Sequence, residues 1–77
     1  MTRPISEIAR DIARNWSNTN YAAVPYLSAM LSLNKITDNY YDDTGKTVVR
    51  YFLANASTFR GDAARALKAE LKAALGE

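Results

Sequence analysis

Neither cysteine nor histidine occurs anywhere in the 77 residues. Without thiols the chain has no disulfide, no zinc-thiolate site and no cysteine nucleophile, and a reducing cytosol is the plainest compartment for it. Without imidazole it lacks the commonest metal ligand and general base, which removes most familiar catalytic arrangements. No apolar stretch approaches the roughly 20 residues that span a bilayer, and the opening MTRPISEIARDIARNW has no signal-like apolar run, so a soluble protein without membrane contact is expected. Glycine is scarce at three residues and proline at two, which leaves few places where helices must break.

What is present is a globular composition, 48% hydrophobic and 23% charged, too apolar for a disordered tail. The length suits one domain over residues 1–77. A chain this short buries only roughly 60% of its unfolded surface, so a partner or self-association would add to a thin margin of stability. The formal charge is +2 but uneven: residues 38–43 hold three carboxylates and no base, whereas residues 44–77 hold six bases against three acids. Such a balance permits phosphate contact without demanding it.

Periodicity predicts an all-α protein, a compact bundle of three to four short helices over about 4–16, 22–33, 43–56 and 61–75. After Pro4, suited to a first helical turn, Ile5, Ile8, Ala9, Ile12, Ala13 and Trp16 recur on one face. Glu7, Arg10, Asp11 and Arg14 occupy the other, in i,i+3 pairs. Ser17 to Asn20 is turn and cap chemistry leading into a second helix that is apolar nearly all round, the pattern of a central helix or an oligomer contact. Pro25 fits there only if that helix starts late or kinks. Residues 34–43 have no period and read as a connection, after which Asp42 or Asp43 is placed to cap a third helix with Gly45, Val48, Val49, Phe52, Leu53 and Ala56 inward. The last helix, bounded by Gly61 and Gly76, has Ala63, Ala64, Leu67, Leu71, Ala74 and Leu75 inward.

The Gly45-Lys46-Thr47 tripeptide has the closing residues of a phosphate-binding loop, but Tyr40 occupies the position of that motif's first glycine. No strand precedes it in this reading, and two aspartates stand where an anion would bind, so an ordinary helix start is the better reading. Asp38, Asn39, Asp42 and Asp43 cluster oxygen ligands, yet counting from Asp38 puts Val49 where a calcium loop needs its bidentate glutamate. No carboxylate pair or activated hydroxyl can be placed as catalytic machinery, so no enzyme activity, metal or cofactor is expected. Two kinds of surface remain. Tyr40, Tyr41 and Asp42 make an acidic-aromatic connection suited to a protein partner, and Ala66, Ala69 and Ala73 form a small-residue strip able to meet another helix. Lys46, Arg50, Arg65, Lys68 and Lys72, with Arg60, make a basic face on helices three and four that suits DNA in a helix-turn-helix reading. The plainer alternative is a solvated face on two amphipathic helices.

The segments Ala23-Val24-Pro25-Tyr26-Leu27-Ser28-Ala29-Met30, Tyr41-Asp42-Asp43, Val49-Arg50-Tyr51-Phe52-Leu53-Ala54-Asn55-Ala56, Thr58-Phe59-Arg60-Gly61 and Lys68-Ala69-Glu70-Leu71-Lys72 resemble those of a family of small uncharacterised actinobacteriophage proteins of the mycobacteriophage type. The resemblance runs from about Ile8 to Leu75 and brings no known catalytic or binding residues with it. It implies expression in the cytoplasm of a bacterial host and action by binding a host or phage macromolecule. The expected function is therefore non-enzymatic protein–protein binding, with homo-oligomerisation through helix two or the alanine strip as one form of it. The alternative is DNA binding by the basic face.

Overall fold

A computed structural model describes residues 3–41 and 43–76. Helix α1 spans Ile5–Asn15; a 3-10 turn over Tyr21–Ala23 runs into α2, Val24–Met30. Short strands β1, Asn39–Tyr40, and β2, Asp43–Thr44, precede α3, Gly45–Ala54, and α4, Asp62–Leu75. The described chain is thus mostly helical rather than purely so. The expectation of an all-α bundle is corrected at residues 39–44, where Asn39 pairs with Thr44 and Tyr40 with Asp43 in an antiparallel hairpin. Strands of two residues show no alternation of polarity, so nothing in the sequence pattern could reveal them.

Helix α1 packs on α4 and α2 on α3, while α1–α2 and α3–α4 contacts close the bundle. Arg3, before α1, meets Glu70 late in α4, whereas Trp16, after α1, stacks on Phe59 ahead of α4; the two helices are therefore antiparallel. Ile5, Ile8, Ile12, Met30, Leu33, Val49, Phe52 and Leu71 are the largest fully buried side chains. Trp16 also meets Phe52 edge to face at 6.1 Å, so three rings fill one end of the core. Ala13 and Ala63, expected inward, are exposed. Each lies at the margin of its helix's apolar arc, where a methyl group adds too little buried area to turn the helix.

Helix α1 starts at Pro4 without a side-chain cap. Its first N–H groups are satisfied from elsewhere in the chain: Ile5 donates to the carbonyl of Asn34 at 2.9 Å and Ser6 to that of Leu33 at 2.7 Å. This explains why α2 ends at Met30 instead of residue 33. Ser32 and Leu33 donate to carbonyls three residues back, Ala29 and Met30, and this tighter turn presents the next carbonyls to α1. The start of α2 is late, as Pro25 requires, because Pro25 falls in its first turn.

The third helix begins at Gly45, not at residue 43, and its cap is Thr44. The Thr44 hydroxyl accepts from the Thr47 N–H at 3.2 Å. Asp43 is instead committed to the hairpin, and Asp42 lies outside the described residues. Gly45 itself donates to the Asp38 carbonyl at 2.6 Å, so the connection over 34–38 lies directly on the first turn of α3.

Candidate interaction surfaces

No charged residue occurs between Arg14 and Lys35. Within that stretch Val24, Ser28 and Leu31 recur at i, i+4 and i+7, and all three are exposed, Val24 by 48% and Leu31 by 41%. Tyr21, one turn earlier, is 91% exposed. Single exposed apolar side chains are ordinary; a helix face that combines them with no charge is the composition of an interface centre. The 3-10 turn that carries Tyr21 is anchored by Asn20. Its side-chain oxygen accepts from Ala22 N–H at 3.2 Å, and its amide donates to the Asn55 carbonyl at the end of α3 at 3.1 Å. The face is consequently held by two elements.

Of the residues singled out in the connection, Tyr41 is 88% exposed and Tyr40 only partly, because Tyr40 packs against the core. Their rings meet edge to face at 4.8 Å. Tyr41 has a φ of 54°, a left-handed conformation uncommon for an aromatic residue, which places its ring at the hairpin tip. Asp38 does not join an acidic patch there. Its carboxylate accepts the N–H groups of Lys35 at 3.0 Å and Asn34 at 3.1 Å, and these bonds hold its pKa below the usual aspartate value.

Ala66, Ala69 and Ala73 are exposed along the pole of α4 opposite the core. On one flank of that pole stand Arg65, Lys68 and Lys72; on the other is Glu70, which is not available to them. Arg3 grips Glu70 with two parallel bonds of 2.9 and 2.8 Å and reaches Asp11 at 2.7 Å. The bonds to Glu70, then to Asp11, raise the Arg3 pKa further, and the bidentate geometry ties the start of α1 to α4. Arg3 went unnoticed in the sequence because its partners are 8 and 67 residues away.

Lys46, Arg50, Arg65 and Lys72 are exposed. Lys68 is half-buried: its ammonium donates to the Phe59 carbonyl at 2.6 Å and lies 5.7 Å from the Phe59 ring centre. Burial lowers its pKa, and the charges of Lys72 and Arg60 lower it further. A helix-turn-helix is not formed in its usual proportions, since the connection between α3 and α4 runs over residues 55–61 in place of a turn of three or four residues.

Among the described residues no three Asp or Glu side chains are grouped to hold a metal, no polar or charged side chain is buried, and no helix is long and apolar enough to cross a membrane. Compared with known protein families, curated proteins and solved structures, the chain shows no significant match.

Proposed function

We propose that this is a non-enzymatic binding protein that works by protein–protein contact through the outer face of α2, with a host or phage protein, or a second copy of itself, as the partner. The observation that carries the reading is the exposure of Tyr21, Val24 and Leu31, on α2 and the turns that flank it, without a single charged neighbour in sequence. Interfaces are depleted of charge at their centre and enriched in tyrosine, and such a face loses little solvation when covered. The exposed Tyr41 ring on its left-handed turn is a second anchor of the same chemical kind. The actinobacteriophage resemblance belongs to this proposal as well, and with it a partner in a bacterial cytoplasm is proposed.

The test compares the wild-type chain with V24D/L31D, which puts two carboxylates on the face without touching the buried side. Both should melt alike. Tagged wild-type protein should retain a nuclease-resistant protein partner from a bacterial lysate, or show a mass in light scattering that rises with concentration, and the variant should lose whichever is seen. A strict monomer that retains nothing, or retention that the variant keeps unchanged, overturns the reading.

A further inference from the structure

The cations of the C-terminal half are sorted onto one face of the molecule. Tyr51 marks the flank of α3 that faces α2, since its ring meets that of Tyr26 at 5.6 Å. Lys46 and Arg50 stand on the opposite flank, at about 100 degrees per residue round the helix, and Lys46 shares a shallow cavity with Leu75 of α4. Across from them α4 presents Arg65 and Lys72, and Lys68 leans over the α3–α4 connection to the Phe59 carbonyl. Arg60, Arg65 and Lys68 line a concavity of about 360 Å³ together with Phe59, Gly61 and Ala64.

Two of the acids are turned away from these cations. Glu70 stands two residues from both Lys68 and Lys72, hence on the far side of α4, where Arg3 holds it together with Asp11. Asp38 is turned into its own loop. Asp43, exposed in β2, precedes Lys46 by three residues, and Asp62 lies 3.5 Å from Arg65 with its side chain 98% exposed, where an ion pair contributes little. Burial lowers the pKa of Lys68 first, and the nearby charges of Lys72 and Arg60 lower it further.

We infer that the α3–α4 face, through Lys46, Arg60, Arg65 and Lys72, is a sequence-independent docking surface for the phosphate backbone of duplex DNA. Duplex is favoured over single strands because no exposed ring stands among these cations. Tyr21 and Tyr41 belong to the turn before α2 and the hairpin tip, and Tyr51 to the α2 flank, so unstacked bases would find no platform. Duplex is favoured over an acidic peptide by charge density, one negative charge per about 1.7 Å of axis. The short side chains of Ala66, Ala69 and Ala73 beside Arg65 and Lys72 offer no hydrogen-bonding group to read base edges, hence the absence of a strong sequence preference. This surface is separate from the α2 face, and either assignment can fail without the other.

The probe is a fluorescent mixed-sequence duplex of about two helical turns, titrated by anisotropy. Binding in the roughly 10⁻⁴ to 10⁻⁶ M range at physiological salt is expected, and four phosphate contacts should weaken it about a hundredfold between 50 and 200 mM salt. R60A/R65A/K72A should lower low-salt affinity at least tenfold and flatten the salt slope by about three, one for each lost contact. The charge-preserving R65K/K72R should bind as wild type, V24D/L31D should also, and R10A/R14A, which removes two cations from α1, should stay within about twofold. An unrelated duplex sequence should bind equally. Absence of binding at 50 mM salt, salt-insensitive binding, a preference for the matching single strand or for polyglutamate, or an equal loss in R10A/R14A overturns the inference.

Discussion

A methyl group added at Gly45 would stand 2.8 Å from the carbonyl oxygen of Ile36 and 3.1 Å from those of Lys35 and Asp38. These are backbone atoms that cannot swing aside, so the connection must be displaced from α3. Gly45→Ala should therefore cost about 1 to 3 kcal/mol, as overpacking does, even though alanine is the better helix former. A urea midpoint equal to or above that of the wild type would refute the close approach. The glycine that completes a phosphate-loop tripeptide in the sequence thus serves packing of carbonyl oxygens against a helix start. Asp38 organises the same connection through its charge. Because two backbone N–H bonds depress its pKa in the fold below the unfolded value of about 3.9, its contribution is complete above about pH 5 and fades as the pH falls through 3.9 toward the folded value. Asp38→Asn should be less stable than wild type at pH 7, and the two urea midpoints should converge as the pH approaches 3. A gap that stays constant over that range would mean the charge is not the cause.

At the scale of elements, the caps decide where helices begin. Thr44→Ala removes the acceptor for the Thr47 N–H and should cost about 1 kcal/mol. Asp43→Ala, at the position the sequence suggested for the cap, should change stability by no more than about 0.5 kcal/mol. A larger effect at Asp43 than at Thr44, read from thermal melts, would reverse the assignment. The helices themselves were legible where a 3.6-residue period ran unbroken: the buried positions Ile5, Ile8, Ala9 and Ile12 of α1, and Val48, Val49 and Phe52 of α3, were all visible in the pattern. The end of α2 was not, because it is fixed by a tertiary demand, the unsatisfied N–H groups of Ile5 and Ser6, to which local propensity is blind. Of the candidate surfaces, the cations of α3 and α4 could be assigned to their faces from spacing alone. That Lys68 bends back to Phe59, and that Tyr40 turns to the core, depended on neighbours the spacing does not describe.

For the whole molecule, a 77-residue chain is expected to have about 4 to 12 kcal/mol of stability in total. Phe52 is fully buried and edge-on to Trp16, and truncating such a ring costs about 3 to 5 kcal/mol. Phe52→Ala should consequently consume much of the margin, with a population of unfolded chain detectable near body temperature. Trp16, the sole tryptophan and 6% exposed, reports this directly by the red shift of its emission as the aromatic cluster opens. Preservation of the wild-type emission and urea midpoint in that variant would show that the three-ring end of the core is dispensable. The same thin margin makes a bound partner count, since any ligand that binds only the folded form raises the melting temperature with its concentration.

The charge-free stretch between Arg14 and Lys35 also makes α2 silent to the commonest chemical probes of proteins. Trypsin needs a basic residue and amine-reactive cross-linkers need lysine, so a tryptic digest delivers the whole helix as part of one long peptide, and a cross-link to it cannot form. A footprint that appears to spare α2 would mean nothing. A photoreactive group placed at Ser28, exposed midway between Val24 and Leu31, would give that face a voice.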